Sequence, residues 1–207
     1  MTIAILGTGN MAKGLAGVFS NAGYDVVLGS REPASVDAGA KVTVAGIAEA
    51  AQQADTIVLA VPFEAARDVI AAAGGLKGKT VIDITNPLTA DYMGLTIGHT
   101  TSAAEEIQKL APEAKVVKAF NTIFASVLQA GGKIDGEPVT VFVAGDDEAA
   151  TASVEALAAK TGFRPVRAGG LSVSRYIEPV AGLNIALGYG RGLGTAIAPT
   201  WQVSKAA

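Results

Sequence analysis

The chain has 207 residues, half of them hydrophobic and only 17% charged, with a mean hydropathy of +0.39, which excludes disorder as a description of the whole and fits one domain, or one domain with a small appendage. Sixteen Lys and Arg against 19 Asp and Glu leave a net charge of −3, so nucleic acid is not an expected partner, because nothing here attracts a phosphate backbone broadly. The lack of cysteine removes disulfides, thiolate-bound zinc, iron–sulfur clusters and a thiol nucleophile, and with His99 as the single histidine no metal centre is expected.

Short β-branched runs alternate with alanine-rich stretches of helical length, the pattern of an α/β, doubly wound parallel sheet with crossover helices. The first strand is Thr2 to Leu6, followed by a glycine turn and a helix from Asn10 to Ala22. Asp25 to Leu28 reads as the second strand, Lys41 to Val44 as a weaker third, Gly46 to Ala54 as a short helix, and Thr56 to Val61 as a fourth strand stopped by Pro62. A helix over Glu64 to Ala73 ends at Gly74 and Gly75, and Thr80 to Ile84 is a fifth strand closed by Thr85, Asn86 and Pro87. Ser102 with Glu105 three residues on is the capping-box spacing, and Pro112 ends that helix. Strands at Lys115 to Ala119, Val139 to Ala144 and Phe163 to Arg167 enclose helices at Thr122 to Ala130 and Asp147 to Thr161, and a glycine-broken helical region follows. The division this implies is 1–168 for the sheet domain and 169–207 for a small C-terminal helical region concerned with substrate or dimerisation.

No membrane partner is expected. The first ten residues lack a basic segment and their apolar run stops at Gly7, which fits neither a signal peptide nor an anchor. Val180 to Pro199 is apolar on average but carries Asn184, Arg191 and glycines from Gly182 to Gly194, so it reads as a buried or interface helix in a cytoplasmic protein.

The segment Gly7-Thr8-Gly9-Asn10-Met11-Ala12 sits between the first strand and the first helix, with Gly14 just inside that helix. Gly7 permits the tight turn, Gly9 has no side chain to hold a pyrophosphate away, Ala12 lets helix and strand approach, and the helix N-terminus offers free amides. An NAD-selective site carries an acidic residue about 20 residues farther on, at the end of the second strand, to accept from the ribose 2′-hydroxyl. Here that place holds Gly29-Ser30-Arg31, a hydroxyl donor and a planar cation suited to a 2′-phosphate, so NADP(H) is the expected dinucleotide. Three more strand ends, Ala60-Val61-Pro62, Thr85-Asn86-Pro87 and Ala119-Phe120-Asn121, fall at the edge where open sheets present ligands. Asn86 and Asn121 are candidates to orient ribose or nicotinamide carboxamide, with Pro62 and Phe120 as walls for the ring; Asn-Pro is equally an ordinary turn former.

No Ser/His/Asp set, nucleophile elbow or Walker loop is present. His99, in the Gly98–Thr100 loop, is the one weak catalytic candidate. Ring-to-ring hydride transfer demands alignment more than proton transfer, so a chain poor in acid and base groups suits it better than alcohol oxidation. Two rivals stay open: reduction of a small imine or carbonyl, with His99 or Tyr176 as proton donor, and a non-enzymatic NADPH-binding redox sensor. Arg175 and Glu178, three apart, are expected to pair with each other or with a partner subunit. The glycines from Gly188 to Gly194 read as a close-approach surface or a mobile loop near the cleft.

In Ile3 to Met11, Gly29-Ser30-Arg31, Ala60-Val61-Pro62, Asp83 to Pro87, Ser102 to Glu105 and Val117 to Thr122, the chain resembles the deazaflavin-dependent NADP oxidoreductases, the NADPH:F420 reductases, over essentially its whole length. The resemblance implies a Rossmann domain holding NADP(H), a C-terminal helical part closing the cleft, and hydride transfer with F420 or FMN as co-substrate. By position it implies Thr8, Asn10, Met11, Ser30 and Arg31 as NADP contacts, and Ala119, Phe120 and Asn121 near the nicotinamide. The reductase domain of the six-transmembrane metalloreductases is similar to the same family. A homodimer and a small-molecule redox acceptor are the expected partners.

Overall fold

A computed structural model describes residues 1–201; positions 202–207 of the expected C-terminal region lie outside the described residues. Six strands, β1 (Thr2–Leu6), β2 (Asp25–Ser30), β3 (Val42–Gly46), β4 (Thr56–Leu59), β5 (Thr80–Asp83) and β6 (Lys115–Lys118), lie parallel in the order 3-2-1-4-5-6. The helices between them are α1 (Asn10–Asn21), α2 (Ile47–Gln52), α3 (Ala66–Ala72) and α4 (Ala103–Leu110). Beyond β6 come α5 (Ala125–Gln129), a hairpin of β7 (Lys133–Ile134) and β8 (Glu137–Pro138), then β9 (Thr140–Gly145), α6 (Glu148–Lys160), β10 (Arg164–Gly169) and α7 (Ser174–Ile185). This is the expected doubly wound sheet, extended to eight strands.

Strands alternate between two cores because each carries apolar residues on both faces. In β1, Ile3 and Ile5 pack with α1 residues Leu15 and Phe19, while Ala4 and Leu6 pack on the other face with Ala50 and Ile70. Gly14 belongs to this packing: a Cβ there would lie 2.9 Å from the Leu128 Cβ, so its bare backbone lets α1 and α5 touch.

Two features depart from the sequence reading. β9 pairs with β6 antiparallel, and β10 follows β9 in parallel, so the last two strands run against the first six. A parallel crossover needs a helix long enough to return the chain to the starting edge, and five-residue α5 rises only about 7–8 Å. Thirteen-residue α6 is long enough to return the chain, and β9 and β10 are parallel. The second is the β7–β8 hairpin, built on Asp135 and Gly136 at φ 50° and 84°; Asp-Gly is the signal for such a turn.

α7 continues into a π-helical turn over Ala186–Gly190. Close approach is what Gly188 provides, since a Cβ there would stand 2.9 Å from both the Phe124 ring and the Gly194 carbonyl. Among the described residues no helix is long and apolar enough to cross a membrane.

Candidate functional site

The β1–α1 turn is held by backbone geometry that only glycine meets. Gly7 has φ 130°, and a Cβ there would fall 2.2 Å from the Ala60 carbonyl oxygen, against which the turn is pressed. Its N–H donates to the Gly29 carbonyl at 3.0 Å, while Ala60 N–H donates to Leu6 O at 2.9 Å, stitching the ends of β2, β1 and β4 together. A Cβ on Gly9, by contrast, would meet nothing within 4 Å: the space over this residue is open. Gly9 is the N-cap of α1 and supplies no side-chain cap, and the first turn holds no acidic residue. α4 and α6 begin differently, with Ser102 and Asp147 accepting from their amides. The α1 N-terminus therefore keeps unfilled donors and positive dipole for an outside anion.

This turn opens on a cavity of about 380 Å³ between the carboxyl ends of β1, β2 and β4, which is the topological switch point of the sheet. Of the sequence-derived candidates, Gly7, Thr8, Gly9, Ser30, Arg31, Val61 and Pro62 all line it. β2 runs two residues farther than the sequence indicates, so Ser30 is its last residue and is buried, while Arg31 steps out exposed. Ser30 Oγ accepts from Glu32 N–H at 3.0 Å, which orients the hydroxyl and leaves its proton available. Among the described residues no ion pair engages Arg31. An exposed cation beside an uncapped helix start is a site for phosphate.

Asn10 and Met11 begin α1 next to the cavity without lining it, and Met11 packs partly on the core. Asn86, Ala119, Phe120 and Asn121 lie farther along the same edge, beyond β5 and β6. The two asparagines are joined to each other: Asn86 Nδ2 donates to the Asn121 carbonyl and Asn121 Nδ2 to Asn86 Oδ1, both at 2.9 Å. This clamp leaves Asn121 Oδ1 buried without a partner. Ala119 is fully buried, its N–H on Asp83 O at 3.1 Å. From the end of β2 to that of β6 is four strand spacings, about 19 Å, the span of an extended dinucleotide laid across the edge.

One expected role is corrected. The Phe120 ring is 1% exposed and stacks edge-on between Phe19 at 5.9 Å and Phe163 at 5.6 Å, inside the core. It is no wall for a ligand ring. A φ of 59° turns the chain at this residue, sends the ring inward and delays the start of α5 to Ala125. Of the expected pair of walls, Pro62 alone lines the cavity.

Arg175 and Glu178 do not pair. Arg175 forms a bidentate bridge to Glu105, at 2.9 and 2.6 Å, which with Ser102 holds the Glu105 carboxyl below its ordinary value. Glu178 instead enters a buried cluster that sequence reasoning missed. Lys118, fully buried at the end of β6, donates to Asp83 Oδ2 at 2.7 Å and the Thr85 carbonyl at 2.6 Å, and is ion-paired with Glu178 Oε1 at 2.9 Å. Asp83 Oδ1 accepts from Thr85 N–H at 2.8 Å, and Glu178 accepts from the first amides of α4, Ala103 and Ala104, at 2.9 and 3.2 Å. Burial pushes the Glu178 carboxyl up, with Lys118 opposing. The signal available in the sequence was a lysine and an aspartate among the apolar residues closing two inner strands.

His99 sits exposed in its loop at φ 59°, and Tyr176 is 73% exposed on α7; neither lines the cavity. Among the described residues no group of His, Asp and Glu is arranged to hold a metal ion.

Residues 2–87 match the family described as NADP oxidoreductase, coenzyme F420-dependent. An F420-dependent NADP reductase of Methanothermobacter marburgensis is 32% identical over 209 residues, covering 90% of this chain and 92% of that protein. The metalloreductase STEAP3 of Rattus norvegicus is 35% identical over 181 residues, 86% of this chain but 36% of the relative, so the chain spans about a third of that protein's length. The crystal structure of a candidate F420-dependent NADP-reductase from Arthrobacter sp. FB24 superposes with a TM-score of 0.84 at 32% identity, covering 93% of this chain and 96% of that one. With its glycine turn and Ser-Arg strand end inside the matched region, the chain belongs to the coenzyme F420-dependent NADP oxidoreductase family and is an NADP-dependent oxidoreductase.

Proposed function

We propose that the chain transfers a hydride between NADP(H) and a deazaflavin of the F420 type, with a flavin such as FMN as the alternative acceptor, and that it works as a cytoplasmic homodimer. The observation that carries the cofactor half is the cavity joining the uncapped α1 N-terminus to Ser30 and Arg31. The open space over Gly9 and the unpartnered Asn121 Oδ1 fit an elongated ligand with a phosphate at one end and an amide donor at the other. Bound NADPH supplies the hydride, from nicotinamide C4.

The residues have separate tasks in this reading. Ser30 Oγ–H and the Arg31 guanidinium take the 2′-phosphate, and the first amides of α1, at Asn10 and Met11, take the pyrophosphate across Gly7, Thr8 and Gly9. Val61 and Pro62 flank the middle of the cleft. Asn121 Oδ1 accepts from the carboxamide NH2, with Asn86 fixing the amide's orientation and the backbone of Ala119 and Phe120 shaping the turn. The described part of the C-terminal region, residues 169–201, borders the acceptor. Support for the deazaflavin is the near full-length likeness to proteins named F420-dependent NADP reductases.

Arg31→Ala tests the cofactor assignment. A lost charge-assisted contact to phosphate should weaken NADPH binding by about tenfold to a hundredfold and leave NADH binding unchanged, as read by fluorescence titration of each nucleotide. Equal losses for the two nucleotides would remove the phosphate role.

A further inference from the structure

The buried Lys118 cluster joins parts of the chain that the hydride-transfer reading keeps separate. Asp83 and Lys118 are register partners at the ends of β5 and β6, which puts their side chains on one face. Lys118 donates to Asp83 of β5 and to the Thr85 carbonyl, and its ammonium is ion-paired with Glu178 of α7. Thr85 is thereby gripped from both sides, its carbonyl by Lys118 and its N–H by Asp83. The next residue is Asn86, whose side chain is locked to Asn121. Glu178 meanwhile caps α4 from a distance, accepting from its first two amides.

We infer that Lys118 and Glu178 are positioning residues for the Asn86–Asn121 clamp, coupling the C-terminal helix α7 to the nicotinamide end of the cleft. The inference rests on the proposed cofactor orientation. None of the three charged groups is accessible, so they act on the reaction only by fixing where the strand-end turns lie. Alignment of the ring with its acceptor depends on those turns, and small displacements there are costly to the rate. The 2′-phosphate end, on β2, is four strands away and is not tied to the cluster.

The test separates the two ends. In Glu178→Ala, Lys118 and two α4 amides each lose an acceptor; single-turnover oxidation of bound NADPH by F420 should fall by about tenfold to a hundredfold, while the affinity for 2′,5′-ADP, a probe of the phosphate end alone, stays as in the parent. Glu178→Gln keeps the shape and an acceptor oxygen and should restore most of the rate. The side-chain amide NMR signals of Asn86 and Asn121 should shift without any ligand in Glu178→Asp, whose carboxylate is too short to reach its partners, and stay near their parental positions in Glu178→Gln, a readout that stands even where the alanine variant does not fold. Asparagine signals unmoved in Glu178→Asp, or a slow variant that loses 2′,5′-ADP to the same extent, would overturn the inference. Asn121→Ala distinguishes its failure from that of the cofactor orientation: wild-type hydride transfer in that variant overturns the orientation itself, whereas slowed transfer there with a parental rate in Glu178→Ala overturns only the coupling.

Discussion

At the scale of single residues, the two glycines of the first turn make opposite demands. Gly7 is confined by its φ and by the Ala60 carbonyl, so Gly7→Ala forces a side chain into backbone and should lower the melting temperature as well as abolish nucleotide binding. Gly9 borders empty space, so Gly9→Ala should melt within about 2 °C of the parent yet bind NADPH about tenfold or more weakly, because its methyl group stands where the pyrophosphate must come. Calorimetric scans paired with NADPH titrations check both, and a Gly9→Ala protein that binds normally would remove the phosphate from this turn. These positions were legible in the sequence because the local backbone dictates the residue type. Phe120 was not, because the direction of its ring is set by a positive φ and by Phe19 and Phe163, which come from distant parts of the chain. The pairing of Lys118 with Asp83 and Glu178 escaped notice for the same reason: no local rule pairs residues so far apart.

At the scale of elements, the helices of the sheet differ in how their first amides are met. α6 is capped locally by Asp147 and α4 by Ser102 together with the distant Glu178, whereas α1, which starts at the cavity, has no side-chain cap. The α4–α7 junction also carries the Glu105–Arg175 bridge, with side chains mostly buried for Glu105 and about one third exposed for Arg175. The Glu105 carboxyl is held below its ordinary value of 4.5, chiefly by the Arg175 hydrogen bonds. A carboxyl lowered in the folded state adds stability above its unfolded value, and that stability is lost as the pH falls through the folded value. Glu105→Gln should therefore melt about 2–4 °C below the parent near neutrality, and the two curves should converge as the pH falls through the lowered carboxyl value. A gap that persists in acid would show that the bridge is not its source. The capping residue Ser102 was readable from the sequence because a cap acts within one turn. The reversed direction of β9 was not, since it depends on the shortness of α5, whose start the Phe120 turn delays.

At the scale of the whole molecule, the cavity and the asparagine clamp share the carboxyl edge of one sheet, and α7 is anchored beside the clamp through Glu178. The outer side of α7 and its continuation is apolar and open: Tyr176, Leu183 and Leu187 are exposed by 73, 60 and 37%. Such a stripe on a helix supports the proposed homodimer, and Leu183→Glu should convert the dimer to a monomer in sedimentation velocity. A parent protein that sediments as a monomer at the same concentration would contradict the dimer. The alternation of strands and helices and the position of the cofactor turn were legible in the sequence, whereas this surface depends on which face of α7 the Lys118 cluster draws inward.

Stopped-flow absorbance tests the central claim most directly: protein loaded with NADPH is mixed with oxidised F420, and in parallel with FMN, with NADH as the control donor. Rapid, matched loss of the NADPH and F420 bands, absent with NADH, is the predicted result. Tight NADPH binding without oxidation by either acceptor would contradict it.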